Sequence, residues 1–115
     1  MANMQMFFSK NLIKSISYNK KNTFYDIDKA LEAFYNQEYE SVYSQDFEFN
    51  KTKDLEFYLH IMFSSSQNID GPNWNKHKPY RSSSVGDIFV IINDGFRYFY
   101  IVASFGFDLI KKEVV

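Results

Sequence analysis

The chain is 115 residues long, with 13 basic and 14 acidic side chains, a length that holds one domain, residues 1–115, with a real hydrophobic core. The absence of cysteine excludes a disulfide framework and thiolate metal ligands, and an aromatic content of 20% excludes a disordered chain. No apolar run approaches the ~20 residues of a membrane helix, and the first residues lack a signal-peptide core, so the expected location is the cytoplasm.

In chain order, MQMFF at residues 4–8 predicts a short first strand. TFYDIDKALEAFYNQ then places Ile27, Ala30, Leu31, Phe34 and Tyr35 on one helical face, with Thr23 and Asp26 spaced as a capping box. EYESVYSQDFEFN switches to a period of two. Tyr39, Tyr43, Phe47 and Phe49 fall on odd positions and Glu38, Glu40, Asp46 and Glu48 on even ones. That pattern predicts a half-buried strand, or two short ones broken near Ser44. Helical spacing returns through Leu55, Tyr58, Leu59, Met62 and Phe63, with Thr52 and Glu56 suited to the first turn. Residues 64–83 read as a polar loop that holds Trp74.

DIFVIIN and FRYFYIVA, joined by Asp94-Gly95, predict a hairpin with a two-residue turn. This register pairs Asn93 with Phe96, Ile91 with Tyr98, Phe89 with Tyr100 and Asp87 with Val102. One face then carries Phe89, Ile91, Phe96, Tyr98 and Tyr100, and the other Ile88, Val90, Ile92, Phe99 and Ile101. Both faces are apolar, so the hairpin should be central, with a last strand around Asp108 to Lys111 after Gly106. The expected class is α+β: a mainly antiparallel sheet of four to five strands with two helices packed on one face.

Ser82, Ser83, Ser84, His77 and Asp87 supply the residue types of a hydrolase triad, but no G-x-S-x-G elbow sets a nucleophile beside a base. RSSSVGD precedes a strand, whereas a phosphate cradle needs a helix N-terminus. His60 and His77 lie in different elements without thiolates, which argues against a metal site. The expectation is no enzyme, no metal and no cofactor. The serines and Gly86-Asp87 read instead as side-chain turns at the start of a strand.

Charge is unevenly spread: residues 26–50 carry seven acids and one lysine. On a strand, Glu38, Glu40, Asp46 and Glu48 would recur at roughly 7 Å per two residues, a pitch that can imitate spaced phosphates. An ordinary solvated strand face gives the same pattern. Tyr98 and Tyr100 suit a core or an interface equally. Trp74, Lys76, Lys78, Tyr80 and Arg81 form a basic-aromatic group of the kind that grips single-stranded nucleic acid.

YRSSSVGDIFVI followed by YFYIVASFGF resembles the signature of YodL-like domains, small modules of conjugative elements, phages and other mobile DNA of Gram-positive bacteria. The matching positions are Arg81, Ser82, Ser84, Val85, Gly86, Asp87, Tyr100, Ser104, Phe105, Gly106 and Phe107. YESVYSQDF at 39–47 also resembles an upstream segment of that family. The resemblance covers about the last two-thirds of the chain; the loop from Ser64 to Tyr80 is longer than the family pattern. It implies no catalytic residues. It does imply an anti-defence context, antirestriction or anti-CRISPR. The expected partner is a host defence nuclease complex, foremost a CRISPR effector, met by the four acids together with Tyr98 and Tyr100. The alternative is a nucleic-acid-binding accessory protein of the element, acting through Trp74, Lys76, Lys78, Tyr80 and Arg81.

Overall fold

The computed structural model describes residues 1–10, 27–67 and 82–115. Five strands, β1 (Ala2–Ser9), β2 (Tyr39–Phe47), β3 (Ile88–Asn93), β4 (Phe96–Val102) and β5 (Phe107–Val114), form one sheet in the order β2-β1-β3-β4-β5. Every neighbouring pair is antiparallel. Among the described residues two helices, α1 (Ile27–Tyr35) and α2 (Leu55–Ser65), join the sheet in an α+β fold.

The hairpin has the register that Asp94-Gly95 dictates. Asn93 pairs with Phe96, Ile91 with Tyr98 and Phe89 with Tyr100. Asp94 and Gly95 have φ of 53° and 81°, the left-handed values a two-residue turn requires. Strand β3 is the middle of the sheet, and its first four residues are all buried.

The helices lie on opposite faces, not on one. Ile88 and Val90 pack with Phe99, Ile101 and the Ala30 and Ala33 of α1. Phe89 and Ile91, which alternate with them, pack with Met6, Phe8 and the Tyr58, Leu59 and Met62 of α2. A strand apolar on both sides needs cover on both sides. Ala30 and Ala33 let α1 approach the sheet closely, and Phe34 stands edge-on to Phe7 at 5.0 Å and to Phe99 at 5.6 Å.

Each helix ends or starts on local chemistry. In α1 the Gln37 amide donates to the Phe34 carbonyl and the Glu38 amide to the Ala33 carbonyl, with Gln37 at φ 61°. This is a Schellman close, in which a residue other than glycine carries the left-handed conformation. The N-cap of α2 is Asp54, whose Oδ1 accepts from the Phe57 amide at 2.8 Å. Thr52, expected near the first turn, lies just before it and donates its hydroxyl to Asn50 Oδ1. The capping box at Thr23 and Asp26 lies outside the described residues.

Candidate functional site: a buried clasp and an acidic rim

Asp87 is fully buried. Its Oδ1 accepts from the Ser9 amide at 3.0 Å and its Oδ2 from the Ser84 amide at 2.8 Å. The Asp87 amide donates to the Ser84 carbonyl, and Gly86, at φ 95°, supplies the positive φ of the intervening turn. The Gly86 amide and the Asp87 carbonyl both bond to Val102, while the Tyr39 hydroxyl donates to the Gly86 carbonyl at 2.7 Å. The carboxylate therefore ties β1, the start of β3 and, through its neighbours, β2 and β4. It is a structural clasp.

A second serine contact lies beside the clasp. Ser83 is buried, its hydroxyl 2.6 Å from Ser66 Oγ and accepting from Gln67 Nε2 at 2.7 Å. Ser66 in turn donates to the Met62 carbonyl, so this network pins the end of α2 to the approach of β3. Ser84 contributes its backbone rather than its hydroxyl. Three identical neighbours carry no mark of which one faces inward; only the position of Ser66 decides it. Further along the motif, Gly106 turns the chain at φ 76° while Ser104 and Phe105 are exposed, Phe105 at 96%.

The four acids do not form a single-faced row. Glu38 and Glu48 flank β2, and within it the register slips between Met6 and Phe7 because Val42 is an extra residue. Asp46 consequently sits opposite Asn3, whose Nδ2 donates to it at 2.9 Å, whereas Glu40 sits opposite Phe8. Asn3 and Phe8 point to opposite faces of β1, so the bulge sends Glu40 and Asp46 to opposite sides of the sheet. Likewise Tyr39 packs on the α1 side and Tyr43 and Phe47 on the α2 side. What does unite the acids is the edge. Strand β2 is outermost, so Glu38, Glu40, Asp46 and Glu48 decorate one rim of the molecule with no lysine or arginine among residues 38–48.

The hairpin tyrosines are half-buried on the α2 face. Tyr100 lies beside the start of α2, and burial, followed by Tyr98, Glu56 and Asp54, raises its phenol pKa. Lys112 stands 4.3 Å from the Phe96 ring centre and 5.4 Å from that of Tyr98. These side chains are thus partly committed to their own neighbours. Among the described residues no group of three or more His, Asp or Glu is placed to hold a metal, and His60 is exposed, edge-on to Phe107. Trp74, Lys76, Lys78, Tyr80 and Arg81 lie outside the described residues. No described helix is long and apolar enough to cross a membrane.

Comparison with family models, with curated proteins and with solved structures finds no match to this chain.

Proposed function

We propose that the chain is a non-enzymatic anti-defence protein of a phage or mobile element. It acts in the bacterial cytoplasm by binding a host defence nuclease, foremost a CRISPR effector. The observation that carries this reading is β2, the edge strand of the described sheet, with four acids and no base from Glu38 to Glu48. The resemblance of residues 80–107 to YodL-like domains supports the mobile-element context.

The bulge changes how such mimicry works. A row on one face would meet one wall of a groove. A rim one strand thick, with Glu40 on one side and Asp46 on the other, meets both walls, as a nucleic-acid strand does. Strand β2 spans roughly 26 Å at ~3.3 Å per residue. Exposed ion pairs contribute only about 0–1 kcal/mol each, so an apolar anchor must accompany them. Phe49, half-buried against Phe47 and Tyr58 at the end of the acidic stretch, is placed to supply it.

The test converts Glu38, Glu40, Asp46 and Glu48 to lysine together and assays inhibition of purified effector nucleases. The expected result is a folded protein that no longer inhibits. Undiminished inhibition by the variant would remove the rim, and no inhibition by the unmodified protein would remove the function.

A further inference from the structure

Strand spacing sets how much of a sheet face one helix covers. Five strands make a sheet about 19 Å wide between its edges, and a helix with its side chains is about 10–12 Å across. Helix α2 is centred on the adjacent strands β1 and β3, through Met6, Phe8, Phe89 and Ile91. On the same face the β4–β5 side of the sheet stays open. Leu109, Lys112 and Val114 of β5 sit there opposite Tyr100, Tyr98 and Phe96 of β4, and all three β5 residues are exposed.

Helix α2 is itself apolar on two sides. Tyr58, Leu59 and Met62 are buried against its own sheet, while Phe57 and Ile61, one turn apart on the opposite side, are exposed. A helix that is apolar all round is one that is packed all round. Helix α1 differs, for it buries Ala30 and Ala33 and leaves Glu32 exposed. Beside the first turn of α2, next to Glu56, the bend at Gly106 holds the exposed Phe105. One chain thus carries a helix lacking an outer cover and a half-sheet lacking a helix.

We propose that these two surfaces cover each other in a two-fold dimer of the chain. Phe57 and Ile61 of one copy lie on Tyr98, Leu109 and Val114 of the other, and the same contact repeats in reverse. The two α2 helices then fill the layer between two sheets. Charge favours a second copy as the occupant. Lys53 and Lys112 on this face are balanced by Asp54 and Glu56, so two copies meet without net repulsion. Lys112 rests over the Phe96 and Tyr98 rings and has no ion-pair partner among the described residues. The acidic first turn of the other copy's α2 supplies the carboxylate it lacks. The contact does not use β2, at the other edge of the sheet, so it stands apart from the acidic rim.

The test is sedimentation equilibrium of the full chain from micromolar to millimolar concentration, where a reversible monomer–dimer step is expected. Ile61→Glu should raise the dimer dissociation constant by roughly tenfold or more, since each dimer buries two copies of Ile61. Its circular dichroism should match that of the parent. Lys112→Glu should weaken the dimer by a smaller factor. In a mixture of isotope-labelled and unlabelled chain, NMR should show contacts from Ile61 to Tyr98 or Leu109 of a different copy. Those contacts need no variant, so they decide the matter even where Ile61→Glu impairs folding. A chain that stays monomeric at millimolar concentration would overturn the proposal. So would a dimer that a folded Ile61→Glu chain forms unchanged, or contacts between copies confined to the sheet edges.

Discussion

Asp87 and the acids of β2 are the same chemistry put to opposite uses. Asp87 is buried at the entry to the central strand β3, and both its oxygens accept backbone amides. Glu38, Asp46 and Glu48 are exposed on and beside the edge strand β2, and Asp46 accepts from the Asn3 side chain. A carboxylate that the fold needs is surrounded by donors, whereas exposed ones at a sheet edge present their charge outward. The difference gives Asp87 to the stability of the fold and leaves the rim as the proposed binding surface, although both occur in stretches that look equally polar in the sequence.

The largest effect should come from breaking the clasp. Asp87→Ala leaves the Ser9 and Ser84 amides without their acceptor, one of them buried. Its cost should be on the order of 3 kcal/mol, since an unpaired buried donor costs about 1–3 kcal/mol. Urea unfolding measures it. A loss under about 1 kcal/mol would place Asp87 in the same class as the rim.

Next in size is Ser83→Ala, which removes the link between Ser66 and Gln67 and should cost about 1–2 kcal/mol. Ser84→Ala, one residue away, keeps the amide that Asp87 uses and should fall within about 0.5 kcal/mol of the parent. Equal losses at the two positions would contradict the clasp as described.

A smaller change should appear at the end of α1, where the chain turns into the acidic strand. Gln37→Gly relieves a left-handed residue at φ 61° and should stabilise by about 0.5–1 kcal/mol. Destabilisation would mean that the Gln37 side chain does more than occupy the turn.

The opposite edge supplies the smallest effect and a contrast within the sheet. Strand β5 carries Asp108, Lys111, Lys112 and Glu113, two acids and two bases, so its charge is compensated locally. The hydrogen bond from Arg97, followed by the Lys111 charge, holds the Glu113 carboxyl below its ordinary value of 4.5. A depressed carboxylate adds stability above its unfolded pKa and loses it as pH falls through the folded one. The contribution should therefore fade below about pH 4.5, and the Glu113 carboxyl carbon should titrate below that point. In Arg97→Gln the midpoint should rise toward the ordinary value; an unmoved midpoint would dismiss the pair.

How much of this was legible in the sequence differs by region. The hairpin was readable to the residue, because a two-residue Asp-Gly turn leaves the register no freedom. Its two apolar faces also implied two covers, so the expectation of both helices on one face conflicted with the sequence's own pattern. The bulge at Val42 could not be read. An inserted residue of ordinary strand character leaves no local mark, yet it reverses every side chain beyond it. The odd–even alternation therefore located the acids on an edge strand's sequence but not on their faces. Ser83 was hidden for a related reason, since its partner Ser66 is distant in sequence and becomes visible only once α2 is placed.

The central claim is that the β2 rim occupies a groove built for nucleic acid. Its most direct test is competition: a labelled guide or target nucleic acid is bound to the effector nuclease, and the purified chain is titrated against it at several salt concentrations. The rim predicts displacement that weakens as salt rises and that vanishes when Glu38, Glu40, Asp46 and Glu48 are neutralised to glutamine or asparagine, while Ser84→Ala displaces as well as the parent. Binding to the effector with the nucleic acid still in place, or displacement that survives loss of all four acids, would contradict it.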